Sequence, residues 1–233
     1  MKKHYLALFL VVLTVTAFGQ SNFYRLSVGA GAGGTYTFTD VQKGQFSYAF
    51  AANLDYHITP FITAGIELQK GTLKGADGDN GHKKAFVNSY LAYNANFKFR
   101  AGQVTDFYYS NFLNYTKGFY LGTGIGMVNN DNTSDKTIRV QPGTGFVFDG
   151  EPKATSIAIP LNVGIDFYFP DGWGDIRYIL NVNYQTNITL GDELDSYNAK
   201  PPFQNTGNDF YNFLSVGFKY TFGPKGLTGK SIR

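Results

Sequence analysis

The chain has no cysteine, a single Trp, three His and few charges, with only 16% of its 233 residues being Asp, Glu, Lys or Arg. Each shortage excludes something. Without cysteine there is neither a disulfide framework nor a lipid-modified cysteine anchor, so stability must come from strand pairing. The charged fraction is well under the roughly 25% of ordinary soluble proteins. The formal net charge is +3, and no basic run stands out, so nucleic acid is not an expected partner. What is abundant is aromatic and small: 22 Phe, 17 Tyr and 28 Gly. That profile suits many short strands joined by turns and disfavours a helix bundle, which would be rich in Ala, Leu, Glu and Lys.

The first residues form a separate unit. Lys2 and Lys3 precede an apolar run from Tyr5 to Val15, and "TVTAFGQ" follows. Ala17 and Gly19 are small residues at the −3 and −1 positions of a signal peptidase site, which predicts a signal peptide over 1–19 cleaved before Gln20. The run is shorter than the roughly 20 apolar residues a membrane-spanning helix needs.

Beyond the leader the dominant pattern is alternation. In "IRYILNVNYQTNITL", residues 176–190, Ile176, Tyr178, Leu180, Val182, Tyr184, Ile188 and Leu190 share one parity. Arg177, Asn181, Asn183, Gln185, Asn187 and Thr189 share the other, with Ile179 out of place. Period 2 is the signature of a strand with one apolar and one polar face. Similar alternation marks seven more stretches, near Phe23–Phe38, Phe46–Ile58, Phe61–Gly71, Phe86–Arg100, Gly118–Val128, Ser156–Phe169 and Phe210–Phe222. Most are about ten residues or more, the length that crosses a bilayer when tilted. Connections are short after the second and sixth stretches and long after the third, fifth and seventh, as in an up-and-down membrane barrel with periplasmic turns and external loops. Residues 101–117, where a short periplasmic turn is expected, are too long for one. There Phe107, Tyr108, Phe112 and Tyr115 suggest one face of a short helix lying against the barrel end. Within the loop after the fifth stretch, residues 138–150 read as a small hairpin above the membrane.

Charge decides which face is outside. Arg25, Asp55, Glu67, Lys98, Arg100, Asp166, Arg177 and Lys219 all fall on the Asn- and Gly-bearing parity. On the apolar parity only Lys70, at the end of its strand, is charged. A soluble barrel would enclose those charges while exposing rows of Phe, Tyr, Ile and Leu to water, which is too costly in both respects. The expectation is therefore an all-β, eight-stranded antiparallel up-and-down transmembrane β-barrel over residues 20–223, with a short periplasmic tail at 224–233. Its eight inward charges should form a lumen network, since eight strands leave an interior just wide enough for side chains. Aromatics gather at both strand ends, as at membrane interfaces: Tyr24, Tyr56, Phe97, Phe99, Phe119, Phe167, Phe169, Tyr178, Tyr220 and Phe222 on one side, Tyr36, Phe38, Phe46 and Tyr48 on the other.

The ending "AFGQ" of the leader, "LSVGAGAGGTY", "FYLGTGIG", "IAIPLNVGIDFYF" and the terminal "LSVGFKYTF" together resemble the small OmpA/OmpX-like outer-membrane β-barrel domains, in particular those of Bacteroidetes-type bacteria. The resemblance implies residence in the outer membrane, lipid as surroundings, and delivery by the barrel assembly machinery. It also implies an insertion signal in the last strand, with Gly217, Tyr220 and Phe222 in the matching places. The tail "GPKGLTGKSIR" departs from the pattern, since many such proteins end on the final aromatic.

Other chemistry is weakly supported. "GAGAGG" and "GTGIG" do not open helices, so they are not phosphate-binding loops. Asp77, Asp79, Asn80 and His82, and likewise Asp131 and Asp135, lie in loops without the spacing of a calcium loop, and no metal or cofactor is expected. Beyond the leader only His57 and His82 remain, and neither has a Ser and an Asp beside it at an outer rim, so an enzyme is the less favoured reading. The leading expectation is a non-enzymatic anchor whose external loops, about 129–155 and 191–209, meet an extracellular ligand or surface partner. A narrow channel for ions or small solutes is the first alternative. An outer-membrane enzyme or an accessory of envelope secretion or assembly comes after it.

Overall fold

The computed structural model describes residues 23–39, 41, 43–77, 84–138, 140, 143, 145, 147, 150–191, 194–197, 208–228 and 232. The leader assigned to 1–19 and the loop residues Asp79, Asn80 and His82 lie outside the described residues.

Nine strands follow in chain order: β1 (Tyr24–Phe38), β2 (Lys43–Gln45), β3 (Ser47–Thr59), β4 (Ile62–Ala76), β5 (Ala85–Arg100), β6 (Phe119–Asp131), β7 (Lys153–Pro170), β8 (Ile176–Leu190) and β9 (Phe210–Lys225). Eight of them close a ring in which each long strand pairs with its neighbour in sequence, β4 meets β5, and β1 meets β9. Every pairing is antiparallel. The ninth, β2, is a short addition that pairs with the top of β4, Lys43 opposite Ala76. Sequence alternation read β4 as ending near Gly71, but its pairing with β5 runs on to Ala76. The extra residues stand above the apolar belt, where alternation of hydrophobicity no longer marks the strand. An isolated antiparallel bridge joins Val140 to Val147, in the stretch read as an external hairpin.

The alternation becomes an inside and an outside. Val28, Leu54, Ile66, Leu68, Ile125, Leu161 and Val216 are exposed on the outer wall, while Asn94, Asn96, Asn162, Asn181, Asn183, Gln185 and Asn187 are buried in the lumen. Ile179, the residue out of place in the opening alternation of β8, is buried too. Closure gives every strand of the ring two partners, so the ring has no open edge to leave backbone groups unsatisfied in hydrocarbon. Among the described residues no helix is long and apolar enough to cross a membrane.

Of the three register slips at the end of the barrel where β1 begins and β9 ends, the end read from the sequence as periplasmic, two alter the parity reading. Leu26 pairs with Phe222 but Tyr24 with Lys225, so β9 carries one extra residue, at Gly223 with φ of 85°. That left-handed backbone is available to glycine without strain. Phe169 pairs with Tyr178 but Pro170 with Ile176, which leaves Arg177 as the extra residue of β8. Beyond each bulge the inward and outward assignments no longer follow from counting by two.

Residues 101–117 form a cap made of two 3-10 turns (Ala101–Gln103 and Phe107–Tyr109) and the helix α1 (Asn111–Thr116). The expected face of Phe107, Tyr108, Phe112 and Tyr115 does not form. Phe107 is buried and Leu113 packs beside it, whereas Tyr108, Phe112 and Tyr115 are exposed. A six-residue helix preceded by two turns changes direction too often for one periodicity to hold across it.

Candidate functional site: the filled lumen and its two ends

From the periplasmic end upward, the first layer is apolar. Phe23, Phe61, Phe107, Ile176, Ile179 and Ile232 form one buried cluster, with Leu113 and Tyr168 against it. The rings of Phe61 and Phe107 meet edge to face at 5.4 Å. Ile176, which alternation places on the lipid side, joins this cluster because it stands beyond the Arg177 bulge.

The second layer is ionic. The Arg100 guanidinium donates from Nη2 to Asp166 Oδ2 at 2.6 Å, from Nε to the same oxygen at 2.7 Å, and from Nη1 to Thr63 Oγ1 at 3.1 Å. Lys219 Nζ lies 2.5 Å from Asp55 Oδ2. Tyr120 fills the space between these pairs. Lys98 Nζ and the Arg100 guanidinium lie 5.3 and 5.5 Å from its ring centre, and its hydroxyl donates to Asn183 and accepts from Asn181, both at 2.9 Å. Asn181 also donates to Asp166 at 2.6 Å. His57 is buried here, with Nε2 2.9 Å from Ser27 Oγ.

The third layer centres on Glu67, a carboxylate held by amides. Asn53 and Gln69 donate to it at 2.9 and 2.7 Å, Gln185 and Asn94 at 3.1 and 3.4 Å. Gln69 and Gln185 are bonded to each other as well. The six buried charges of the two middle layers balance: Lys98, Arg100 and Lys219 against Asp55, Glu67 and Asp166. Low dielectric makes such balance, with hydrogen bonds on the remaining atoms, the condition for burying charge at all.

The fourth layer, at the extracellular mouth, is apolar again. Leu73, Phe86, Tyr90, Tyr211 and Phe213 point inward from the strand tops, and Leu194 and Tyr197 from the loop after β8 pack among them. The loop is tied there. Asn88 Nδ2 donates to the Leu194 carbonyl at 2.8 Å, and the Tyr197 hydroxyl lies 2.8 Å from the carbonyls of both Ala85 and Ile138. Part of the 191–209 loop is therefore a lid on the barrel rather than a free external surface.

Of the eight charges assigned to the lumen, Asp55, Glu67, Lys98, Arg100, Asp166 and Lys219 are buried inside it. Arg25 and Arg177 are not. Arg25 donates to the outer-wall Tyr56 hydroxyl at 2.7 Å. Arg177 stacks over the Tyr24 ring at 4.0 Å and pairs with Asp171 at 3.3 Å. Arg177 is itself the extra residue of β8, and Arg25 lies on β1 opposite the β9 bulge; both stand at the rim of the barrel. Asp171 opens the β7–β8 turn. Partial desolvation raises its pKa, but the backbone N–H groups of Trp173 and Asp175 and the Arg177 guanidinium outweigh that and lower it overall.

Of the insertion-signal residues, Gly217 lies opposite Gly31 on the seam between β1 and β9, while Tyr220 and Phe222 project from the outer wall, their rings 6.4 Å apart. No group of three or more His, Asp or Glu that could hold a metal occurs among the described residues. Two features escaped the sequence reading. The Ser27–His57 pair joins residues on β1 and β3 that only the register brings together. The upper apolar layer had a legible signal, because Phe86, Tyr90, Tyr211 and Phe213 all lie on the inward parity.

A closed ring of eight antiparallel strands with an outer wall free of charge through its belt defines the class: a transmembrane β-barrel of the outer-membrane type. No family model and no curated protein matches the chain. Among solved structures it is similar to Neisserial surface protein A at 12% identity over 84% of this chain and 97% of that one, TM-score 0.49. It is similar to OprG of Pseudomonas aeruginosa at 9% over 86% and 99%, TM-score 0.45. A third is Ail of Yersinia pestis, solved with the heparin analogue sucrose octasulfate, at 13% over 85% and 99%, TM-score 0.42.

Proposed function

We propose that this chain is a non-enzymatic anchor of the bacterial outer membrane, a small OmpA/OmpX-like barrel of the Bacteroidetes type, whose external loops meet a ligand or surface partner. Lipid surrounds it and the barrel assembly machinery delivers it. The observation that carries the reading is the four-layer filling of the lumen. An apolar layer closes each end, and between them Arg100 pairs with Asp166, Lys219 with Asp55, Lys98 lies over the Tyr120 ring and amides hold Glu67, so the interior works as a plug. A catalytic role gains little from the Ser27–His57 pair, which lies enclosed between the lower cap and the Glu67 layer. The loop carrying Asp131, Glu151 and Lys153 is the better contact surface than 191–209, because the latter contributes Leu194 and Tyr197 to the lid.

Single-channel conductance of the refolded mature protein in a planar bilayer tests this. Silence from protein whose folding is verified by heat-dependent gel mobility is expected. Steady, reproducible openings would overturn the plug and make a narrow channel, gated by the Arg100–Asp166 and Lys219–Asp55 pairs, the function.

A further inference from the structure

The cap at 101–117 does two things at once. Phe107 and Leu113 enter the lower lumen layer, but its other apolar side chains face away from the protein. Tyr109 is 89% exposed, Phe112 72% and Tyr115 74%, with Val104 exposed beside them. Trp173, the only Trp of the chain, is 89% exposed in the β7–β8 turn on the same end of the barrel. Exposed aromatic surface of this extent is uncommon on a protein face meant for water.

We propose that the cap is a membrane-interface anchor, with Tyr109, Phe112 and Tyr115 lodged in the headgroup region of the periplasmic leaflet while Phe107 and Leu113 hold the lumen shut. The proposal deepens the plug reading and rests on it. Three observations select lipid as the occupant. The segment is continuous at both ends with the lipid-facing wall, through the exposed Phe99 and Phe119. It contains only two charged residues, Asp106 and Lys117. Lys117 is turned inward, donating to the Ile232 carbonyl at 2.5 Å and to Asn114 at 2.7 Å. And the exposed side chains are of the types that settle at membrane interfaces, Tyr and Trp above all, where one end of the ring is apolar and the other wet.

The lone Trp makes the test direct. The full mature chain is refolded into vesicles of phosphatidylethanolamine and phosphatidylglycerol, with and without bromine on the acyl chains. Wild type reports on Trp173, and the double substitution Trp173→Phe with Phe112→Trp reports on the cap. Tyr109→Trp in the same background is the second reporter if Phe112→Trp fails to fold. The expected result for the cap is blue-shifted emission, at least twofold quenching by the brominated lipid and little quenching by iodide. Free quenching by iodide with none by bromine would overturn the proposal, leaving a water-facing surface. Protection from both quenchers would overturn it too, in favour of a second copy or another protein. Conductance is read separately, so a failed anchor and a failed plug give different results.

Discussion

Arg100 and Asp166 meet across the lumen at 2.6 Å with side chains only 1% and 0% exposed, joining the periplasmic ends of β5 and β7. A pair so enclosed is costly to break from one side. Arg100→Met leaves the Asp166 carboxylate without its cation and should cost about 3–5 kcal/mol. The double substitution Arg100→Met with Asp166→Leu should recover most of that loss. Equilibrium urea unfolding of the vesicle-inserted protein measures both, and equal stability of single and double variants would refute the pairing energetics.

The orientation of the wall has its own test. Val216 is exposed on the outer face of β9, opposite Ala32 and Val182 within the belt, whereas Thr155 is exposed at the extracellular end of β7. Val216→Arg should cost about 2–4 kcal/mol and Thr155→Arg about 0–1, because the cost of charge on the lipid face falls from midplane to interface. Equal tolerance in the same unfolding assay would mean that this face does not meet lipid.

Closure depends on close approach along the β1–β9 seam. A Cβ on Gly33 would come 1.9 Å from the Leu214 carbonyl oxygen and 2.6 Å from Ser215 Cα, whereas one on Gly217 would come no nearer than 3.2 Å to the Ala30 oxygen. Gly33→Ala should therefore force the seam apart and lower the yield of the heat-modifiable folded form, with Gly217→Ala much milder. A Gly217→Ala defect as large as that of Gly33→Ala would point instead to recognition of Gly217 during assembly.

Acid should loosen the β7–β8 turn. The folded carboxyl of Asp171 titrates below its ordinary range, so its contribution is fully present above the unfolded value near 4 and fades as pH falls through the folded one. Asp171→Asn removes that dependence. Wild type and variant should differ in stability at neutral pH and converge in strong acid. Parallel curves across that range would show that the turn does not depend on the ionised carboxylate.

Parity alone located six of the buried charges, since Asp55, Glu67, Lys98, Arg100, Asp166 and Lys219 all lie where uninterrupted alternation holds. It failed at Arg177 and Ile176, because Arg177 is an extra residue of β8 that changes which way the side chain beyond it faces, and nothing in composition announces it. It failed at Arg25 because that residue stands at the strand end, where its long side chain reaches the outer-wall Tyr56 hydroxyl. It also missed the cap's direction, where short turns replace a single period, and the contribution of Leu194 and Tyr197 to the mouth, which depends on how a long loop folds back.

The sequence by itself determined the eight strands of the ring, the apolar outer wall and the polar lumen, because period 2 and the cost of charge in lipid are local rules that each strand obeys separately. Only the tertiary structure decided that the lumen is filled in layers: apolar at both ends, ionic low down, and amide-held around Glu67. Those layers are assembled from residues as far apart as Asp55 and Lys219. Their meeting depends on the stagger of eight strands around a closed ring, which no single strand encodes.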